Sequence, residues 1–304
     1  MNAAEKEGII GLAKRDFLCF IRDRNSVFFS LLAVLIVIFL YLLFLRSNLV
    51  NAFDEYPGID HLIDAWVLSG VVGIVPVTSA AGALMTMVTD RCEKRGQDIL
   101  LTPMSELWIA VGHVIGTFIT CTMMSYLALI ISVAFLAGSG TALTASGIIG
   151  AAVLVLPSSL SAAAVMYAAC TFIRTTGAYS GFCTAVGVLI GFLCGIYMPV
   201  GELPDGVAWF GALMPASQFG MVFRQLLAEP ALDAAMEGAP ASTVEDFRLE
   251  MGFDLKFGDF TFSAASGLAL AGIVTVLFLA FAVYMHRRGG AKPMWKKKAA
   301  KTQQ

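Results

Sequence analysis

Apolar residues run along this chain in long blocks separated by shorter polar stretches. The pattern has neither the two-residue alternation of a half-buried strand nor the narrow stripe of a surface helix. Six blocks are long enough to cross a hydrocarbon core of about 30 Å, which takes about 20 helical residues at about 1.5 Å each. They are 27–45, 65–88, 108–136, 147–173, 178–198 and 262–285. In the first, 16 of 19 residues are Leu, Ile, Val or Phe, each favouring insertion near mid-bilayer. That block follows a charged segment and exceeds a signal-peptide core, so it is expected to stay in the membrane. The third and fourth are longer than a span needs and are expected to tilt or continue past the interface. Pro157 is expected to kink or break the fourth.

A seventh run, 209–227, is mostly apolar but contains Pro215, Gln218 and Arg224. Charge parity argues against counting it. With six spans, segments 1–26, 89–107, 174–177 and 286–304 share one side and hold 16 of the 20 Lys and Arg residues. Arg46, Arg224, Arg248 and Lys256 fall on the other. This is the positive-inside asymmetry, and it puts both ends of the chain on the cytoplasmic side. The run 209–227 then reads as a re-entrant or interfacial hairpin on the outer face, its backbone buried against other helices.

Composition agrees: 58% of the 304 residues are hydrophobic and 14% charged, too apolar a balance for a soluble core of this size. The six cysteines, Cys19, Cys92, Cys121, Cys170, Cys183 and Cys194, lie in or beside apolar runs without a CxxC pair. They read as buried, reduced thiols and not as a disulfide framework or zinc site. The expected organisation is a cytoplasmic amphipathic segment (1–26) and a six-helix, all-α transmembrane domain (27–285). That domain carries a cytoplasmic loop at 89–107 and an outer segment at 199–261, and a basic tail (286–304) follows. The outer segment holds ten Asp or Glu, and 229–259 is expected to form a small surface subdomain.

The six blocks contain no Asp, Glu, Lys or Arg, and His113 is their single imidazole. Ion-coupled carriers place ionisable groups inside the membrane, and a membrane hydrolase needs a nucleophile with a base or a metal cluster. Neither pattern is present. His113, about one turn into the third block, reads as a satisfied interfacial histidine. The chain has no G-x-x-x-x-G-K-[ST] phosphate loop, so uphill transport would draw its energy from another subunit.

Two cytoplasmic segments suit such a partner. In 11–26, Leu12, Phe17, Phe20 and Ile21 cluster on one side at helical spacing. Lys14, Arg15, Asp16, Arg22, Asp23 and Arg24 fall largely on the other, the pattern of an interfacial amphipathic helix. It serves equally as a simple anchor or as a partner contact. The second segment, 89–107, is too long for a plain inter-helix turn and combines charge with Ile99, Leu100 and Leu101. It reads as a short helix that docks elsewhere. In the fifth block Gly187, Gly191 and Gly195 form a GxxxGxxxG stripe, expected to serve packing within the chain, with dimerisation or a substrate path as the lesser reading.

Three motifs, in order, resemble one family. KRDFLCFIRDRNSVFFS (14–30) is similar to the connecting helix that leads into the first span of membrane subunits of ATP-binding cassette (ABC) exporters of the second type. DRCEKRGQDILLTPMS (90–105) is similar to that family's coupling loop, with Asp90, Arg91, Gly96, Asp98, Leu100, Thr102, Pro103 and Ser105 in the matching places and Glu93 and Arg95 between them. GIYMPVGELPDGVAWFGALMPASQFGMVFRQLL (195–227) looks like the end of the family's fifth span and the outer segment after it, with Pro199, Gly201, Pro204, Pro215 and Arg224. The likeness is greatest to the drug-resistance branch that includes daunorubicin exporters, and the acidic insertion 229–259 departs from it.

The resemblance implies a multi-pass permease of the cell membrane, working as a homodimer or pseudo-dimer with two copies of a separate ATP-binding subunit. This chain would bind no cofactor itself, ATP and magnesium sitting on the partner, and no nucleic acid is implied. ATP-driven movement would pass through 90–105, and a hydrophobic or amphipathic substrate would leave outward. The competing readings are a membrane enzyme, such as an acyltransferase, and a sensor or anchor, each acting through the outer loop 199–261.

Overall fold

The computed structural model describes residues 3–24, 27–28, 36, 39, 41, 43, 46–52, 56–92 and 104–287. Most of the expected first span (27–45), most of the coupling loop (93–103) and the tail beyond Arg287 therefore lie outside the described residues. Five long helices make the bundle: α3 (Ile59–Cys92), α4 (Glu106–Ser139), α5 (Ala145–Cys170), α6 (Thr176–Leu193) and α11 (Ala264–Arg287). Before them come α1 (Ala3–Arg22) and the short α2 (Arg46–Ala52). Between α6 and α11 lie α7 (Asp205–Leu213), α8 (Pro215–Leu227), α9 (Glu229–Ala235), α10 (Ala241–Glu250), and the strands β1 (Leu255–Phe257) and β2 (Phe260–Phe262).

The long helices begin and end where local chemistry directs. Thr144 and Thr175 accept from the amides of Gly147 and Ala178, capping α5 and α6. Gly140, at φ 81°, closes α4, its N–H donating to the Ala137 carbonyl and that of Thr141 to the Leu136 carbonyl. At 34 residues each, α3 and α4 span about 51 Å, well beyond a hydrocarbon core. They therefore carry residues outside the blocks read from hydropathy, including Asp60, Asp64, Asp90 and Arg91 on α3 and Glu106 on α4. Pro157 does not break α5, which runs unbroken through it, as α3 does through Pro76. Each proline withholds one N–H from the ladder, and neighbouring helices on several sides keep the axis continuous.

Helix α3 is the hub, buried along most of its length and contacting α1, α4, α5, α6 and α8. The peripheral helices instead turn Ile, Leu, Val and Phe outward: Ile130 and Phe135 on α4, Leu189 and Phe192 on α6, Val276 and Leu277 on α11. Such a surface is the complement of lipid, in which no force drives apolar groups inward. The chain is a multi-pass membrane protein.

Successive long helices alternate in direction, which gives the bundle two ends. The α1 end gathers Cys92, Glu106, Cys170 and Thr176. The hairpin end gathers Ile59, Ser139, Ala145, Leu193 and Ala264. At the latter, β1 and β2 pair antiparallel, Leu255 with Phe262 and Phe257 with Phe260. This two-stranded hairpin is a small departure from the expected all-α fold. Segment 229–259, expected as a surface subdomain without periodic signal, is thus two short helices and the first strand. Its Phe247, Met251 and Phe253 are buried in one apolar cluster with Leu62, Ile63 and Trp66 of α3.

The run 209–227 is not one helix. Its residues divide between α7 and α8, which are bent by 86° at Met214. Pro215 occupies the first turn of α8, where its missing N–H is of no consequence.

Candidate functional site

At the α1 end, α1 lies along α4 in a seat made by glycine. A Cβ at Gly112 would stand 2.9 Å from Leu12 Cδ2, and one at Gly116 would stand 3.1 Å from the Ala13 carbonyl oxygen. The close approach buries Ile9, Leu12, Ala13 and Phe20. It also buries Asp16, which sequence periodicity assigned to the polar face, while Ile21 is exposed. The buried arc of α1 is rotated from the expected one, because it faces α4 and not bulk lipid.

Asp16 is buried because it has partners. Its Oδ2 lies 2.5 Å from His113 Nδ1 on α4, and its Oδ1 lies 3.3 Å from Arg15 Nη1. Arg15 donates through Nη2 to Asp90 Oδ2 on α3, at 2.5 Å. Asp16, His113 and Asp90 are all buried. Burial is the largest single influence on the Arg15 guanidinium and lowers its pKa, but the hydrogen bond to Asp90 and the charges of Asp90 and Asp16 together outweigh it and raise the pKa. A chain of charge-assisted bonds thus runs from α4 through α1 to α3.

Asp90 and His113 flank the segment 93–105 in sequence, so α1 ties together the two helices from which that segment springs. Gly8 of α1 also abuts the Met104 side chain. Arg91 turns the other way, with Nη1 donating to the Cys170 carbonyl at the end of α5 at 3.2 Å. Cys92 donates to the Arg174 carbonyl at 3.3 Å. The α1 end therefore joins α1, α3, α4 and α5 through side-chain contacts.

The hairpin end is held differently. Arg224 of α8 is buried, with Nη2 donating to the carbonyls of Cys194 (2.6 Å) and Gly195 (2.8 Å) and Nη1 to that of Gly252 (3.2 Å). Its guanidinium stands 5.2 Å from the ring of Trp66 on α3, whose Nε1 donates to the Met251 carbonyl at 2.6 Å. Among the described residues no carboxylate takes part. The charge rests on carbonyl dipoles just past the end of α6 and on an aromatic face. Nearby, Asp64 of α3 is buried and bound by Arg46 at 2.9 Å and by the Tyr41 hydroxyl. Arg248 bridges Asp254 (2.6 Å) and Glu229 (2.5 Å).

A family model described as ABC-2 family transporter protein matches residues 46–284, well over half of the chain. The chain belongs to the ABC-2 transporter family. It is a membrane permease subunit of an ABC transporter, a family whose permeases pair with an ABC ATP-binding subunit. Comparisons with curated proteins and with solved structures found no match.

In this ABC-2 permease the predicted site residues fare unequally. Glu93, Arg95, Gly96, Asp98, Leu100, Thr102 and Pro103 lie outside the described residues. Asp90 and Arg91 close α3, and Ser105 stands before α4 with no side-chain cap bond. Lys14, Arg22, Asp23 and Arg24 are exposed, whereas Arg15 and Asp16 join the buried chain. Gly187, Gly191 and Gly195 do not share a packed helical stripe. Gly187 faces open space, Gly191 is covered by the Tyr197 ring, and Gly195 lies past the helix at φ 62°. Pro199 is buried, Gly201 approaches the Glu250 backbone, Pro204 precedes α7, and Pro215 and Arg224 belong to α8.

All six cysteines are free, but Cys92 is exposed, contrary to the expectation of burial, because it sits at the helix end. His113 is a satisfied histidine, and Asp16 is the partner that sequence reasoning missed. The signal was available: Asp16 shares an arc with Ile9, Leu12, Ala13 and Phe20, and a carboxylate on an apolar arc needs a buried donor.

Proposed function

We propose that this permease exports a hydrophobic or amphipathic compound from the cell, driven by ATP hydrolysed on two separate ATP-binding subunits. On this reading it works as a homodimer in the cell membrane, in the manner of the drug-resistance branch. Its six spans comprise the first apolar block (27–45) and the five long helices, with both chain ends cytoplasmic. The α1 end is then the cytoplasmic face.

The observation that carries the reading is the Arg15–Asp16–His113–Asp90 chain. Segment 93–105 links α3 to α4, and α1 fastens both helices beside that link. Force applied to the segment by an ATP-binding subunit would reach α1, α3 and α4 together instead of bending one helix alone. Charge-assisted bonds buried at such a junction are stiff, because breaking one strands a charge in low dielectric.

The bent pair α7–α8 is assigned to a re-entrant hairpin on the outer side. Arg224, near the end of α8, holds the carbonyls of Cys194 and Gly195, which the chain passes just before entering the pair. Entry and exit therefore sit at one depth, which supports a segment that turns back over one that crosses.

The test is co-purification with the ATP-binding subunit, followed by vanadate-sensitive ATP hydrolysis with and without substrate-laden vesicles. Arg15→Asp should uncouple hydrolysis from transport while the complex still assembles. Adding Asp90→Arg should restore coupling by re-forming the pair with reversed sign. Unchanged coupling in Arg15→Asp would remove α1 from the drive path.

A further inference from the structure

The hairpin end carries an aromatic surface that the bundle leaves uncovered. Trp209 and Phe210 of α7 are 42% and 54% exposed, and Phe257 and Phe260 at the tip of the β-hairpin are 41% and 55% exposed. They form one patch, with the Trp209 and Phe257 rings 5.9 Å apart between centroids. The hairpin register explains the tip. Leu255 and Phe262 form the buried pair at its base, and Phe257 and Phe260, two residues on, share that face but overhang the core. A turn at Gly258 and Asp259 separates them, Gly258 having φ 59°.

The position of the patch is fixed at both edges by membrane-spanning helices. Ser263 alone separates β2 from α11, and Ser263 and Ser266 cap that helix reciprocally, at 2.8 Å and 3.3 Å. Four residues of extended chain from Phe260 to Ala264 reach at most about 13 Å, so the tip stays close to where α11 enters the bilayer. At the other edge, a Cβ on Gly211 would stand 3.0 Å from the Leu193 carbonyl at the end of α6. Helix α7 thus rests on the end of a span whose Leu189 and Phe192 face lipid. Only Gly211 and Ala212 of α7 are buried. The aromatic patch continues the lipid-facing surface of α6, while the exposed carboxylates of Glu202 and Asp205 rim it on the polar side.

We infer that Trp209, Phe210, Phe257 and Phe260 form a foot that rests in the headgroup layer of the adjoining leaflet and fixes the height of α7 and the hairpin over the membrane. Aromatic rings concentrate at that layer, where an apolar body and a polar rim are both accommodated. The adjoining leaflet is the outer one in the topology proposed for this chain, but the foot requires only that α6 and α11 span. It does not depend on export or on ATP coupling.

The full-length protein is reconstituted in phosphatidylcholine vesicles with and without acyl-chain-brominated lipid, and tryptophan emission is compared between the native chain and Trp209→Phe. The emission lost in Trp209→Phe should be the component that brominated lipid quenches, by roughly twofold or more for a ring at the interface. Phe260→Trp in the Trp209→Phe background should regain a lipid-quenched component. Quenching of Trp209 emission by aqueous acrylamide but not by brominated lipid would overturn the foot, as would protection from both, which would mean that a second copy covers the patch.

Discussion

Both ends of the bundle anchor a guanidinium, half-exposed at Arg15 and fully buried at Arg224, and they stabilise it by opposite means. At the α1 end Arg15 is satisfied by the carboxylates of Asp16 and Asp90, with His113 completing the chain. At the hairpin end the Nη atoms of Arg224 donate to three main-chain carbonyls and its guanidinium lies by the face of Trp66, while its buried Nε has no partner among the described residues. Side-chain pairs form and break when helices slide, since each partner rides on its own helix. Carbonyls have no rotamers, so a guanidinium clasped by them fixes the backbone around it. Under the proposed function, the α1 end is the transmitting end and the hairpin end a rigid cap.

The largest effect should follow removal of the cap's charge. Arg224→Met strands three buried carbonyls and should destabilise the protein by about 3–5 kcal/mol, read from denaturation of the purified chain in mixed lipid–detergent micelles. Arg224→Lys should recover less than half of that, because one ammonium cannot serve Gly252 and the Cys194–Gly195 pair together. Full recovery by lysine would make charge, not the planar fork, the basis of the cap and would weaken the contrast. Next is Asp16→Ala, which leaves His113 and Arg15 without their shared acceptor. It should loosen α1 by about 2 kcal/mol, seen as roughly 30-fold faster amide exchange in α1 with little change at the hairpin end. Exchange rising equally at both ends would deny that they are separate units.

A milder probe of the cap is Trp66→Phe. It keeps a ring beneath Arg224 but removes the bond from Nε1 to the Met251 carbonyl, so the cost should be about 1 kcal/mol in the same denaturation measurement. A cost equal to that of Arg224→Met would mean that Trp66 holds the cap through Met251 and that the guanidinium is secondary.

The sequence made much of this legible, and what it hid has a physical reason. The five long apolar helices overlie five of the six apolar blocks, because lipid demands about 20 apolar residues whatever their neighbours are. The bend between α7 and α8 falls at Pro215, the breaker within the run 209–227. Three other features depend on tertiary partners and escape local reading. Asp16 looked like a solvent-facing residue until α4 supplied His113 from 97 positions away. Arg224 looked like an obstacle to insertion, and only the folded chain brings carbonyls from 194, 195 and 252 around it. The glycine stripe does not run along one helix, because α6 ends at Leu193 and leaves Gly195 in a turn.

The smallest effect tests the seat beneath α1. Gly112→Ala puts a methyl 2.9 Å from Leu12 Cδ2, the far end of a flexible side chain, while Gly116→Ala puts one 3.1 Å from the fixed carbonyl of Ala13. Alanine also gains up to about 1 kcal/mol of helix propensity over glycine at either position. Rotation of Leu12 clears its Cδ2, and its Cβ and Cγ at 3.3 Å need give only a few tenths of an ångström, so with the gain in propensity Gly112→Ala should change stability by no more than about 0.5 kcal/mol. Gly116→Ala must displace α1 itself, and with it Asp16 from His113, so it should reproduce part of the Asp16→Ala exchange phenotype. If the two glycines behave alike, α1 has slack along its whole length and the Asp16–His113 contact does not set its position. If they differ as expected, the register of α1 on α4 is fixed within a few tenths of an ångström at the one turn where the buried chain crosses, which is the precision a transmitting contact needs.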